Sequence, residues 1–133
     1  MIVKINGKEH TLKFGLKFLR EIDKTIELTT PGGVKYADGF GQKLPMVIGE
    51  DPAELSEFLY MATAHEEDRP TQDEIDEYVE DCEDIDKLFK VVLSELKNSN
   101  ITKKVTKRTA AVMDLAEQEE QAPEKTQKKP TTK

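Results

Sequence analysis

The sequence predicts a mainly α fold of the α+β class: a small N-terminal β-hairpin packed on a compact bundle of about five short helices. Three observations predict it. An Asn-Gly dipeptide separates two short alternating runs, helical apolar stripes with start signals fill the middle of the chain, and residues 117–133 hold a single Ala as their only hydrophobic residue. The 133 residues therefore divide into one helical domain at residues 1–116 and a disordered polar tail at residues 117–133.

The hairpin is predicted from residues 2–5 and 9–14, where apolar side chains alternate with polar ones. Between them, Asn6-Gly7 favours a two-residue turn because both central positions need a positive φ. An isolated two-stranded hairpin is only marginally stable in water, so the helix that follows is expected to cover one of its faces. That helix begins near Gly15, and its stripe consists of Leu19, Ile22 and Ile26, with Phe18 beside it.

Three more helices are predicted, and two of them have clear start signals. Asp51 can cap a helix that begins with Pro52, and Thr71 and Glu74 form the spacing of a capping box. A further helix is expected from about Asp84 to residue 98. The predicted inner stripes are Leu55, Phe58, Leu59 and Ala62; Ile75, Tyr78, Val79 and Cys82; and Ile85, Leu88, Phe89, Val92 and Leu96.

The remaining segments are less regular. Residues 29–33 (TTPGG) should end the first helix, and the Gly-rich segment 34–41 is expected to be a flexible loop. Residues 44–48 form a short apolar run that predicts one or two helical turns. From Ile101 to about Gln118 the helical pattern continues more weakly, with apolar residues spaced widely among lysines.

Composition narrows the function classes. Charged residues make up 35% of the chain, hydrophobic residues 36%, and the net charge is −7, so a phosphate backbone would be repelled and nucleic-acid binding is disfavoured. The one cysteine, Cys82, excludes an internal disulfide and fits a reducing compartment such as the cytoplasm. No leader-like apolar segment and no run of about 18 apolar residues occurs, so we expect neither export nor a membrane span.

Few residues are candidates for catalysis or metal binding. His10, His65 and Cys82 lie in unrelated contexts, without the spacing that metal ligands or a nucleophile and its base require. Cys82 also falls on an inner stripe, where a free cysteine behaves as a small hydrophobe. We therefore expect no catalytic residue, no metal and no cofactor, and a protein that works by binding.

Charge is strongly segregated in the second half of the chain. Residues 73–86 hold nine acidic residues and no basic one, but they lack the glycine and spacing of a calcium loop. A solvated helix face explains such a run most simply, and a docking surface for a basic partner is the alternative. The basic residues Lys103, Lys104, Lys107 and Arg108 suit pairing with these acids, within the chain or between copies, better than they suit nucleic acid. The acidic docking candidates are Asp73, Asp76, Glu77 and Glu80.

Two blocks carry a resemblance to a known family. Residues 5–24 (INGKEHTLKFGLKFLREIDK) resemble the start of the tail assembly chaperones of long-tailed, siphovirus-type phages that infect Gram-positive bacteria. Residues 59–65 (LYMATAH) and 69–78 (RPTQDEIDEY) are similar to a second block of that family. The likeness covers roughly residues 1–95, and neither block is a catalytic signature.

The resemblance implies a non-enzymatic, mostly helical protein of the host cytoplasm. It implies binding of the phage tape measure protein, promotion of tail tube assembly around it, self-association, and absence from the mature virion. Many genes of the family also yield a longer product by ribosomal frameshift, through which the tail tube protein would be contacted. Lys128-Lys129 is a candidate position, because consecutive Lys codons can form a slippery A-rich run. A Lys-rich tail without a frameshift is the simpler alternative.

Two groups of apolar residues are candidates for contact with the tape measure protein, which is the client of such a chaperone. For the second group, a stripe that faces the core is the favoured alternative. A rival function is an acidic inhibitor that imitates nucleic acid and presents the carboxylates of residues 73–86 to a DNA-binding protein. The candidate client-binding residues are Leu44, Met46, Val47 and Ile48, and then Leu88, Val92 and Leu96.

Overall fold

The computed structural model describes the backbone of residues 1–127 and the side chains of residues 1–117. Within this part of the chain, two antiparallel hairpins and six helices follow one another. The mainly α fold with an N-terminal hairpin is therefore confirmed. The elements are β1 (Ile2–Ile5), β2 (Lys8–Thr11), α1 (Leu16–Asp23), β3 (Glu27–Thr29), β4 (Lys35–Ala37), α2 (Gly39–Ile48), α3 (Pro52–Met61), α4 (Gln72–Glu80), α5 (Ile85–Asn98) and α6 (Lys103–Gln127).

The first hairpin forms as the sequence predicts. Asn6 and Gly7 have φ values of 52° and 80°, which is the double positive φ that a two-residue hairpin turn requires. Val3 and Ile5 are buried on one face of β1, and the lysine between them is exposed. β1 packs against α4, so a helix later in the chain than the expected one contributes to covering the hairpin.

An aromatic cluster occupies the centre of the core. Phe18 makes edge-to-face contacts with Phe14, Phe40 and Phe58, with ring centroids 5.0, 5.9 and 5.6 Å apart. Such pairs add to the free energy gained from burial alone. The four rings come from the segment after β2 and from α1, α2 and α3, so this cluster joins the N-terminal half of the fold.

The predicted helix starts are confirmed by their caps. The Asp51 carboxylate accepts from the backbone N–H of Glu54 and of the residue before it, and Thr71 and Glu74 form both bonds of the capping box. The Asp84 carboxylate accepts from the N–H of Lys87 at 3.0 Å. These local bonds fix where α3, α4 and α5 begin.

The structure of residues 24–48 differs from the prediction. α1 ends at Asp23, and Ile26 lies outside it. A second hairpin, β3 and β4, replaces most of the expected loop, with Leu28 opposite Tyr36. Its connecting turn uses Gly33 at a φ of 89°. The strands have three residues each, which is too short for an alternating pattern to show.

α2 is longer than the one or two turns expected from residues 44–48. It begins at Gly39, where an added Cβ would lie 1.8 Å from the carbonyl oxygen of Ile22, so only glycine allows this approach of α2 to α1. The N–H of Phe40 donates to the Asp23 carboxylate at 3.0 Å. Contacts between α1 and α2 therefore determine where α2 begins, although glycine has a low helix propensity.

α6 crosses the predicted boundary between the helical domain and the polar tail. Thr106 is fully buried and its hydroxyl donates to the carbonyl of Thr102, which is itself buried. The helix then continues to Gln127, into the segment predicted to be a disordered tail. The remaining tail, with Lys128-Lys129, lies outside the described residues, and the division at residue 116 stays a prediction.

Candidate binding surfaces

Three side chains could take part in chemistry, His10, Cys82 and His65, and the structure shows where each one lies. Nδ1 of the buried His10 lies 2.8 Å from Oε1 of Glu66, whose second oxygen accepts from the backbone N–H of Thr11. Cys82 is partly buried against the core, and His65 is partly exposed. Among the described residues, no group of three or more His, Cys, Asp or Glu side chains could hold a metal ion. No helix in the described part of the chain is long and apolar enough to cross a bilayer.

Most of the apolar client candidates are part of the core. Ile48 packs partly buried against it, and Met46 alone has a substantially exposed side chain, at 47%. The fully buried candidates are therefore not available to a partner in this conformation, and a role for them in client binding stays a prediction. The core residues among the candidates are Leu44, Val47, Leu88, Val92 and Leu96.

The acidic candidates lie on α4 but have two kinds of surroundings. The Asp76 carboxylate accepts from the hydroxyl of Ser56 and from the side-chain amide of Gln72, and it joins α3 to α4. This arrangement gives Asp76 a structural role. The other three candidates, Asp73, Glu77 and Glu80, are exposed.

An acidic groove of about 600 Å³ runs between α3 and α4. Its walls hold five acidic side chains and no basic one, so it suits a cationic segment better than an anionic one. Only two of the predicted acids contribute to it; the others are Glu54 and Glu57 on α3 and the cap residue of that helix, Asp51. The acidic wall residues are Asp51, Glu54, Glu57, Asp76 and Glu80.

One side of this groove contains a coupled pair of carboxyl groups. Glu57 binds the Lys43 ammonium with both oxygens, at 2.8 and 2.9 Å. Burial raises the pKa of Glu54 to about 8, and the neighbouring Glu57 adds to the rise by hydrogen bonding and by its charge. The pKa of Glu57 is lowered, because hydrogen bonds from Glu54 and Lys43 outweigh its burial. Near neutral pH, Glu54 is therefore mainly the proton donor to a Glu57 carboxylate.

An apolar groove of about 490 Å³ lies between the start of α1 and the turn that joins α5 to α6. Leu16 and Ile101 line it with exposed fractions of 49% and 37%, and the buried Phe18 lies at its base. The charged residues that line it are all basic: Lys13, Lys17 and Arg20. Sequence reasoning missed this groove, because Leu16 and Ile101 are 85 positions apart and each looks like an ordinary end of a helix.

A second exposed apolar pair lies on α6. Val112 and Leu115 are 60% and 59% exposed, in the segment where the sequence shows only a weak helical pattern. The threonines at 102 and 106 take the inward positions instead. Two residues three apart lie on one face of a helix, so this pair forms a continuous apolar surface.

These features place the chain in a general class: a small, mainly helical protein whose surface has an apolar groove, an acidic groove and an exposed helix face. Comparison with known families then identifies it. Residues 2–110 match the family described as phage tail assembly chaperone protein, TAC, and the chain belongs to this family. No curated protein and no solved structure matches the chain. Its partners are therefore expected among phage tail proteins.

Proposed function

We propose that this chain binds the tape measure protein of its phage, keeps the apolar helices of that protein in solution, and promotes tail tube assembly around them. The family match over residues 2–110 carries the proposal. The surroundings of His10 and Cys82 support a non-enzymatic role, because His10 contacts a single carboxylate and Cys82 packs against the core. A chaperone of this kind acts in the host cytoplasm during assembly and is absent from the mature virion.

The apolar groove is the proposed binding site for the client. Leu16 and Ile101 offer apolar contact that the described part of the chain does not cover, and helix-in-groove binding uses such anchors. The basic rim favours a client helix that carries acidic residues beside its apolar stripe. Apolar contact should dominate the affinity, so binding should persist at high salt.

Co-expression with the tape measure protein of the same phage tests the proposal. We expect the tape measure protein to become soluble and to co-purify with this chain at high salt. The double variant Leu16→Gln/Ile101→Gln should lose most of this effect, whereas Ile2→Gln/Val34→Gln removes two even more exposed apolar groups elsewhere and should retain it. An insoluble tape measure protein beside a free, folded chain would overturn the function, and an unaffected groove variant would overturn the site.

A longer frameshifted product is the proposed route to the tail tube protein. The sequence offers Lys128-Lys129 as the position, in the part of the tail that the structure does not describe. The coding DNA is a direct test: an A-rich slippery run followed by an overlapping frame supports the proposal, and the absence of either overturns it.

The rival function, an acidic mimic of nucleic acid, has less support. A mimic needs carboxylates spread along one long face, but α4 has nine residues and is only about 13 Å long at 1.5 Å per residue. Asp76 is also occupied by its contacts with Ser56 and Gln72. Binding of a mimic should collapse with added salt, which separates the two functions experimentally.

A further inference from the structure

The second hairpin has an apolar face that lies outside the core of the described chain. Side chains on this face come from alternate residues, Ile26 and Leu28 along β3 and Val34 and Tyr36 along β4. Val34 and Tyr36 are 64% and 46% exposed. Ile26 and Leu28 are half-buried, but neither packs against the core in the described part of the chain. Because Leu28 lies directly opposite Tyr36, these side chains form one surface and are not scattered exposed groups.

The outer edge of β4 has backbone groups that are free to pair. Opposed residues of an antiparallel ladder alternate between a hydrogen-bonded pair and a pair whose N–H and C=O groups point outward. The N–H of Asp38 donates to the carbonyl of Ile26 at 3.0 Å, so the outward groups of β4 belong to Lys35 and Ala37. In the described part of the chain, no backbone group from outside the hairpin bonds to them, and every residue of β4 is exposed.

A third strand would supply what this hairpin lacks. A two-stranded hairpin is only marginally stable in water, whereas three strands with an apolar face can be stable. The first hairpin is covered in part by α4, but no described helix makes a comparable contact with β3 or β4. A free strand edge is a template for a strand from another chain, and several classes of protein bind extended peptides in this way.

We propose that β4 binds an extended segment of a tail protein other than the client, and that this segment joins the hairpin as its third strand. Main-chain hydrogen bonds to Lys35 and Ala37 hold the segment, and its apolar side chains extend the surface of Val34 and Tyr36. Lys35 takes part in none of the ion pairs between described side chains. The cross-strand position beside it therefore suits an acid, so the segment carries an acidic side chain between two apolar ones.

This edge suits neither the helical client nor a second copy of the chain. A helix bonds its own N–H and C=O groups to each other, so a helical client has none to offer to a strand edge. A second copy would offer its own β4, whose sequence KYA holds no acid to place beside Lys35. The partner is therefore an extended acidic and apolar segment from another protein.

NMR titration of the full, isotope-labelled chain with the peptide STVEVTS tests the proposal. We expect the amide signals of Lys35 and Ala37 to shift and these amides to exchange more slowly with solvent. The matched peptide STVKVTS should bind about fivefold more weakly, because a lysine beside Lys35 replaces attraction by repulsion. The absence of shifts at millimolar peptide, shifts confined to other parts of the chain, or equal binding of the two peptides would overturn the proposal.

Proline substitutions test the edge itself. Ala37→Pro removes an outward N–H and leaves the bonds inside the hairpin in place, because proline is tolerated where the N–H of an edge strand faces solvent. It should abolish binding of STVEVTS. The matched control Thr29→Pro removes an outward N–H from β3, on the opposite edge, and should bind as wild type. Unchanged binding by Ala37→Pro, or loss only in Thr29→Pro, would contradict the assignment to β4.

Charge reversal keeps the test informative if proline disturbs the hairpin. Lys35→Glu retains every backbone N–H and should reverse the preference, so that STVKVTS binds more tightly than STVEVTS. An unchanged order of the two peptides would overturn the role of Lys35.

The titration also separates this partner from the alternatives. Shifts of the Lys35 and Ala37 amides that depend on the concentration of the chain alone would show a second copy at this edge and overturn the proposal. The titration contains no tape measure protein, so its failure leaves the client experiment unchanged. Ala37→Pro should still co-purify with the tape measure protein, because that client is proposed to occupy the apolar groove.

Discussion

Replacing Glu54 by Gln should change how the stability of this protein depends on pH. The folded state raises the pKa of Glu54 from 4.5 to about 8, mainly by burial and then by the neighbouring Glu57. A folded-state pKa above the unfolded value means that the folded chain holds the proton more tightly. The stabilisation is therefore fully present below about pH 4.5 and is lost as the pH rises through about 8. Gln keeps a hydrogen-bond donor for Glu57 and has no proton to lose.

The size of the effect follows from the pKa. A tenfold change in proton affinity corresponds to about 1.4 kcal/mol, so a rise from 4.5 to about 8 would reach about 5 kcal/mol in a fully shielded site. Glu54 is only partly buried, and solvent screening reduces the expected value to about 1–2 kcal/mol. Glu54→Gln should thus be more stable than wild type by about 1–2 kcal/mol at pH 9 and nearly equal to it at pH 5.

Urea unfolding followed by circular dichroism between pH 5 and pH 9 measures this difference. The midpoint should fall with pH in wild type and stay flatter in Glu54→Gln, with an unchanged denaturant slope. The surface control Glu67→Gln should follow the wild-type curve. Equal pH dependence in wild type and Glu54→Gln would refute the assignment of the buried proton to Glu54.

Three further substitutions test the packing. Phe58→Ala removes a ring from the centre of the core and should lower the free energy of unfolding by about 3–5 kcal/mol in urea titrations, whereas a loss below about 1 kcal/mol would contradict its central place. Gly39→Ala places a Cβ 1.8 Å from a backbone carbonyl and should lower the melting temperature strongly, while Gly32→Ala, which meets no atom closer than 3.8 Å, should not; equal effects would refute the close approach. Arg69→Ala removes a two-pronged contact with Glu21 at 3.1 and 3.3 Å and a stacking contact 4.0 Å from a tyrosine ring, so it should cost about 1–3 kcal/mol by the same titration, and an unchanged midpoint would show that these contacts contribute nothing.

Local signals account for the parts of the fold that the sequence predicts correctly. Asn6-Gly7 determines the first turn through its backbone preference, and Asp51 and Thr71 satisfy free N–H groups at the starts of α3 and α4. Each signal acts over at most four residues, so it can be recognised without knowing what packs on it.

Tertiary contacts decide the parts that the sequence did not predict. α2 begins with Gly39, a poor helix former, because that glycine allows close contact with the carbonyl of Ile22. The apolar groove depends on Leu16 and Ile101, which lie far apart in the chain and are brought together only by the fold. For the stripe of α5 the sequence favoured the core over a partner, and the structure agrees by placing Val92 inside.

Photo-crosslinking from the apolar groove tests the central claim most directly. A photoreactive amino acid at position 16, in the complex formed by co-expression with the tape measure protein, should crosslink to that protein. The same probe at position 34, an apolar site that is more exposed than position 16, should not crosslink. Crosslinks to the tape measure protein from position 34 and none from position 16, in a complex that still co-purifies, would contradict the proposed client site.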